Sequence, residues 1–74
     1  MPSIPTYTYR FEWSEEDQEH VALCAEIPGL SGLGATRADA VAELEESIRG
    51  WLAHLEEEGL PIPAPRQRVV GHTY

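Results

Sequence analysis

The chain has 74 residues, enough for one small domain. Its 13 acidic residues, five basic residues and net charge of −8 disfavour direct binding to the phosphate backbone of nucleic acids. In a domain this small, the free energy gained by burying apolar surface and the conformational entropy lost on folding nearly cancel. The single cysteine, Cys24, cannot form an internal disulfide. We therefore expect self-association, as a homodimer or a higher even oligomer, to supply additional stability.

The sequence shows no export signal and no membrane anchor. Residues 1–10 lack both a basic segment and an apolar run, and no stretch approaches the roughly 20 apolar residues that a membrane span needs. We expect a cytoplasmic protein that does not bind membranes. The acidity either serves solubility or attracts a basic protein partner, and composition leaves both open.

Residues 7–13 predict the first strand, because aromatic and polar side chains alternate in the sequence Tyr-Thr-Tyr-Arg-Phe-Glu-Trp. Strand packing ordinarily selects aromatic side chains, and the acidic neighbours disfavour stacking on nucleic-acid bases. The side chains expected on the buried face are Tyr7, Tyr9, Phe11 and Trp13.

Residues 20–27 predict a second strand that forms an antiparallel hairpin with the first. Cys24 has the parity of the polar side, where it is expected to be a small packing residue and not a nucleophile. The loop between the strands is acidic, and its carboxylates are typical of a solvated hairpin turn and not of a metal site. The side chains expected to share the buried face are Val21, Leu23, Ala25 and Ile27.

A Pro-Gly turn at residues 28–29 leads into a glycine-rich segment that suits a short third strand with close backbone approach. The order of its glycines fits neither a dinucleotide fingerprint nor a phosphate-binding loop, which argues against nucleotide binding. Thr36, followed three residues later by Asp39, predicts the N-cap of a helix.

Residues 37–58 predict one long amphipathic helix, which ends at Gly59. Trp51 widens its apolar stripe, and Glu45 and Arg49 are spaced for an ion pair one turn apart. Three consecutive glutamates at its C-terminal end oppose the helix dipole, which indicates either a solvated helix end or contact with a basic partner or neighbouring subunit. The stripe consists of Val41, Leu44, Ile48, Leu52 and Leu55.

Alternating prolines in residues 61–65 predict a stiff, extended connector. Residues 66–74 follow as an edge strand or a flexible tail, and Arg66 and Arg68 suit salt bridges with the acidic helix more than contacts with nucleic acid. The chain therefore predicts an α+β fold with a small antiparallel sheet of three to four strands packed by one long helix, in the order β-β-β-α-β.

Three segments in this order resemble the HicB family of antitoxins. They are residues 21–30 with their Ile-Pro-Gly turn, residues 32–40 with the helix start Gly-Ala-Thr, and residues 59–63 with the sequence Gly-Leu-Pro-Ile-Pro. Residues 37–40 depart from the family, which more often has acidic residues there, although Asp39 keeps the capping position. The resemblance covers residues 7–65 and implies a single HicB-like domain over residues 1–74 with a partial ribonuclease-H-like fold.

The resemblance also implies a function, which is that of the protein-binding module of a type II toxin–antitoxin system. Such a module neutralises a small basic HicA-type toxin that cleaves mRNA, and the net negative charge suits a basic partner. The C-terminal DNA-binding module characteristic of the family has no counterpart here, so operator binding is not expected. The alternative is an orphan HicB-like regulatory or structural domain that self-associates or binds another protein.

A ribonuclease-H-like topology raises the question of an enzyme, because such nucleases hold divalent metal ions with several carboxylates. Glu12 and Glu26 are isolated on separate predicted strands and do not make a metal cluster. The three histidines, His20, His54 and His72, have no Cys or His partner at metal-ligand spacing. We therefore expect no catalytic residue, no metal and no cofactor.

The residues expected to contact other proteins fall into two sets. Carboxylates of the hairpin loop and of the helix end are the candidates for binding the partner. Trp13 and Trp51 are the candidates for the oligomer interface, at a sheet edge or on the helix face that bears Trp51, because large aromatic side chains anchor interfaces. The candidate carboxylates are Glu15, Glu16, Asp17, Glu56, Glu57 and Glu58.

Overall fold

The computed structural model describes residues 4–66 and shows the predicted α+β class, with one antiparallel sheet and one helix. The three strands pair in the order β1-β2-β3. The edge strand or tail predicted at residues 66–74 lies, apart from Arg66, outside the described residues. The elements are β1 (Tyr9–Ser14), β2 (Glu19–Cys24), β3 (Ser31–Gly34) and α1 (Arg37–Glu58).

The predicted β1–β2 hairpin forms, and an acidic turn connects its strands. The Ser14 hydroxyl accepts a hydrogen bond from the Asp17 N–H and donates one to the Asp17 carboxylate, both at 3.2 Å. Gln18 adopts a left-handed φ of 55°, and its side-chain amide donates to the Glu15 carbonyl at 2.9 Å. The turn therefore satisfies its own polar groups and fixes the register of the hairpin.

The register places the aromatic side chains of β1 on the helix side of the sheet. Directly paired residues point to the same face, and Tyr9 pairs with Cys24, Phe11 with Ala22 and Trp13 with His20. Ala22 and Cys24 are buried, as are Tyr7 and Ile27 at the end of the sheet.

The buried face predicted for the second strand is therefore wrong at Val21 and Leu23, although Ile27, which follows β2, is buried as expected. Val21 and Leu23 lie on the sheet face away from α1, together with Leu33 of β3, which pairs with Val21. Cys24, predicted on the polar side, is buried under the helix.

The physical reason is the close approach of α1 to the sheet. A Cβ atom on Gly32 would overlap the Ala40 carbonyl oxygen and the Leu44 backbone nitrogen, and one on Gly34 would lie 2.7 Å from the Ala40 nitrogen. With the helix backbone this near, the β2 position that pairs with Gly32, which is Ala22, lies under the helix and accepts only a small side chain. The larger Val21 and Leu23 therefore point to the other face.

The helix has the predicted bounds and caps. Thr36 Oγ1 accepts a hydrogen bond from the Asp39 N–H at 3.0 Å, and Gly59 ends the helix with a left-handed φ of 70°. Buried residues of α1 are Ala40, Leu44, Ile48 and Leu55, while Val41 and Leu52 pack at the margin of the core. Within residues 4–66, no helix is long and apolar enough to span a bilayer.

Candidate interaction surface

The carboxylates proposed for partner binding are all exposed, but they lie at opposite ends of the domain. His20, next to the hairpin turn, pairs with Gly34, and Gly34 lies against the first turn of α1. The turn is therefore near the N-terminal end of the helix. The other three glutamates are at the C-terminal end, and 18 helical steps of 1.5 Å put Glu57 roughly 27 Å from Asp39 along the axis. The six candidate carboxylates thus form two separate patches.

The first patch consists of the turn carboxylates Glu15, Glu16 and Asp17. Two of these three carboxylates accept hydrogen bonds within the turn itself. Asp17 accepts from Ser14, and a Glu15 carboxylate oxygen accepts from the Gln18 amide at 3.3 Å. The second patch, the helix-end glutamates Glu56–Glu58, has no basic residue in the same helical turn. Negative charge at a helix C-terminus is unfavourable, so the second patch has more to gain from a cationic partner.

The two aromatic side chains of β1 nearest the hairpin turn, Phe11 and Trp13, are less covered by the helix than Tyr9. Phe11 is 38% exposed and Trp13 is 49% exposed. The Arg37 guanidinium lies 5.1 Å from the centre of the Phe11 ring, and Trp13 packs edge-on against His20 at 5.1 Å. Tyr9, Phe11 and Trp13 form a row, the β1 aromatic row. Phe11 and Trp13 were expected to be buried, but both remain partly exposed.

Tyr9 is the member of this row that packs against the core and contacts the helix. Its hydroxyl donates to the Glu45 carboxylate at 3.2 Å. The ion pair predicted between Glu45 and Arg49 does not form. Burial, followed by the charge and hydrogen bond of Glu45, raises the pKa of Tyr9 to about 12. The hydroxyl therefore remains a donor at any physiological pH.

Trp51, the second tryptophan, is 40% exposed on α1. Its ring stacks on that of His54, with centroids 5.4 Å apart and planes 26° apart. The two tryptophans thus belong to different aromatic pairs on different elements.

The two outer edges of the sheet differ. On β3, the Leu33 N–H donates to the Glu43 carboxylate at 2.6 Å, so a side chain of α1 occupies this edge. On β1, no described residue pairs with the outer edge. The sequence did not predict this contact between Glu43 and β3, because it depends on how the helix packs on the sheet.

Glu26 connects three segments, a role that the sequence did not predict. Its carboxylate accepts hydrogen bonds from the Thr8 N–H at 2.8 Å, the Thr8 hydroxyl at 3.1 Å and the Arg66 N–H at 2.7 Å. Nearby, the Tyr7 hydroxyl donates to the Pro63 carbonyl at 2.7 Å. These contacts hold the proline connector against the start of β1. Arg66 takes part through its backbone N–H, and the salt bridge predicted between its side chain and the helix does not form.

The Glu26 contacts shift its protonation and that of its neighbour. Desolvation raises the pKa of Glu26, but the hydrogen bonds from the Arg66 and Thr8 N–H groups outweigh it and hold the pKa below the ordinary value. Burial raises the pKa of the Cys24 thiol, which lies 3.7 Å from Glu26 Oε1. A buried thiol next to a carboxylate is a poor nucleophile, in agreement with a packing role.

Replacing Glu26 with Gln should destabilise the protein at neutral pH by about 1–2 kcal/mol, because an amide cannot accept these bonds as a carboxylate does. A carboxyl whose pKa is depressed by folding stabilises above its unfolded pKa, and this contribution disappears as the pH falls through the folded pKa. The difference between wild type and Glu26→Gln in urea unfolding should therefore shrink below about pH 4.5. Glu16→Gln, in the exposed turn, is the matched control, and a difference that stays constant from neutral to acidic pH would contradict the assignment.

Beside this junction lies an open cleft of about 340 Å³, and Arg10 and Arg66 are among the residues that line it. Leu23, Pro28 and Gly29 also line it. Across residues 4–66, no group of three His, Cys, Asp or Glu side chains is arranged to hold a metal ion. The described surface therefore offers one open strand edge, exposed aromatic rings and carboxylates for contact with other molecules.

Three comparisons, with protein-family models, with curated proteins and with solved structures, give no match to this chain. The function of this chain must therefore be inferred from its own residues and geometry.

Proposed function

We propose that this chain is an antitoxin-like protein-binding module of a type II toxin–antitoxin system. It is a HicB-like domain with a partial ribonuclease-H-like arrangement that binds and neutralises a small basic HicA-type mRNA-cleaving toxin in the cytoplasm. The motif segments behind this proposal lie at the junctions of the fold. Gly29 has a left-handed φ of 101° in the turn before β3, and Gly59 ends α1. The Pro63 carbonyl accepts a hydrogen bond from the Tyr7 hydroxyl.

The observation that carries the proposal is the acidic end of α1. The last helical turn contains exposed Glu56, Glu57 and Glu58 and no basic residue, in a chain of net charge −8. Both the mutual repulsion of these carboxylates and their unfavourable position at the helix C-terminus would be relieved by a cationic surface. We therefore assign the toxin contact to these helix-end glutamates, with the turn carboxylates as a secondary contact.

The proposed role involves binding without catalysis. Glu12 lies 3.6 Å from Arg10 in an exposed ion pair, and Glu26 is engaged by Thr8 and Arg66. Both contacts are structural uses of these carboxylates, which supports a role outside metal-assisted phosphodiester cleavage.

The decisive experiment measures binding to the basic protein encoded next to this gene, by calorimetry and by inhibition of its mRNA cleavage. Wild type should bind at low salt and block cleavage, and the affinity should fall as salt screens the opposite charges. The triple variant Glu56→Gln, Glu57→Gln, Glu58→Gln should lose about tenfold or more in affinity. The variant Glu15→Gln, Glu16→Gln, Asp17→Asn removes the same three charges elsewhere and should lose much less.

Equal losses in the two triple variants would contradict the assignment to the helix end and indicate only general attraction between charges. Absence of binding at low salt, or absence of a neighbouring basic protein, would contradict the antitoxin role itself. Either of these two absences would favour the alternative, which is an orphan HicB-like regulatory or structural domain that self-associates or binds another protein.

A further inference from the structure

The outer edge of β1 is open in the described part of the chain, and its hydrogen-bonding groups can be assigned. The Ala25 N–H donates to the Thr8 carbonyl at 2.9 Å, which continues the β1–β2 register by one pair. In an antiparallel ladder, bonded and non-bonded pairs alternate. Thr8, Arg10 and Glu12 therefore direct their backbone groups toward β2, and the β1 aromatic row directs its N–H and C=O groups outward.

We propose that two copies of this chain form a homodimer by antiparallel pairing of their β1 strands, centred on Phe11. Phe11 then pairs with Phe11 of the second copy, and Tyr9 pairs with Trp13 of the second copy. Each of these pairs uses backbone groups that point outward in the single chain, so the ladder gains bonds without breaking any. The three described strands of each copy then join in one continuous sheet. This inference does not depend on the proposed toxin.

Charge selects this register over its neighbours. Arg10 and Glu12 lie on the sheet face away from α1, 3.6 Å apart and exposed. Pairing centred on Phe11 places Arg10 opposite Glu12 of the second copy, and the symmetry of the dimer makes this ion pair twice. A shift of two residues would centre the pairing on Arg10 or on Glu12 and would place like charges directly opposite each other, which is destabilising.

The other sheet face supplies the apolar surface. The helix covers β2 and β3 and leaves Phe11 and Trp13 partly exposed. Pairing of β1 strands brings two β1 aromatic rows side by side between the two helices, where cross-strand aromatic pairs stabilise a sheet. At the opposite edge of the sheet, the bond from Leu33 to Glu43 discourages pairing, so assembly closes at two copies.

The test uses charge reversal and mixing in the full chain, with mass measured by sedimentation from micromolar to hundreds of micromolar protein. Wild type should be a dimer. The Arg10→Glu chain carries two acidic side chains at the pairing positions and the Glu12→Arg chain carries two basic ones, so each alone should associate at least about tenfold more weakly. An equimolar mixture of the two should form a heterodimer, because each position then faces its opposite charge.

The matched control pair is Arg49→Glu and Glu46→Arg, which makes the same charge changes on the exposed face of α1. These chains should dimerise as wild type does, and circular dichroism should show that all four variants are folded. Trp51→Ala should also leave the dimer intact.

Three results would overturn the proposal. Wild-type affinity in both Arg10→Glu and Glu12→Arg would exclude the β1 interface, and dissociation by Trp51→Ala would move the interface to the helix face. A monomeric full chain, with dimerisation only after removal of residues 67–74, would show that the chain's own tail occupies the edge.

Discussion

Replacing Gly32 with alanine should destabilise the domain by about 3 kcal/mol or more, at the upper end of the range for overpacked cores. The added Cβ would overlap the Ala40 carbonyl oxygen and the Leu44 backbone nitrogen, and backbone atoms of a helix cannot rotate away as a side chain can. The helix would have to move off β3 and open the core. Stability of a domain is about 0.05–0.15 kcal/mol per residue, so this change removes a large part of it.

The control is the same substitution at Gly50, where a Cβ would meet nothing within 4 Å on the exposed face of α1. Alanine there should stabilise the protein by about 0.5–1 kcal/mol, because glycine is a poor helix former. Urea unfolding at one fixed protein concentration measures both variants. Equal effects at the two positions would show that the approach of helix to sheet is looser than the structure indicates.

The helix could be predicted from sequence to the residue because its boundaries are local. Thr36 and Gly59 act through hydrogen bonds with residues three or four positions away, and no distant contact can override them cheaply. The antiparallel hairpin was predictable for the same reason, since alternation and an acidic turn mark it within a short stretch.

Hydrophobic patterning alone could not predict the buried face of β2, because the side chains on that face are less apolar than those on the other. Val21 and Leu23 are more apolar than Ala22, yet Ala22 is the residue under the helix. The decisive quantity is the distance between α1 and the sheet, which Gly32 and Gly34 set from another strand. Small residues alternating on adjacent strands were the signal that could have revealed it.

The candidate surface was predictable only in part. The acidic residues were identified by charge, whereas their separation into two patches follows from the antiparallel packing of α1 on β3. Trp13 was identified as an interface candidate by residue type, but the open edge beside it depends on strand order. The bonds of Glu26 and Glu43 join residues at least ten positions apart, and residue type alone did not indicate them.

Replacing Leu44 with alanine should cost about 3 kcal/mol, within the range observed for large-to-small changes in tightly packed cores. Leu44 is fully buried and is one of the two largest side chains with no exposed surface. Leu60→Ala removes the same atoms from a side chain that is 50% exposed, and it should cost less than about 1 kcal/mol. Urea unfolding again measures both, at a fixed protein concentration because association adds to the stability of a dimer.

The double variant Gly32→Ala, Leu44→Ala tests whether backbone contacts or side-chain volume set the distance between α1 and β3. The Cβ of an alanine at Gly32 would meet backbone atoms of Leu44, which remain in place when the Leu44 side chain is shortened. Leu44→Ala should therefore fail to relieve Gly32→Ala, and the double variant should be at least as unstable as the worse single one. Recovery of stability in the double variant would mean that the helix avoids the clash by moving into the space vacated by Leu44, so that side-chain volume sets the distance between α1 and β3.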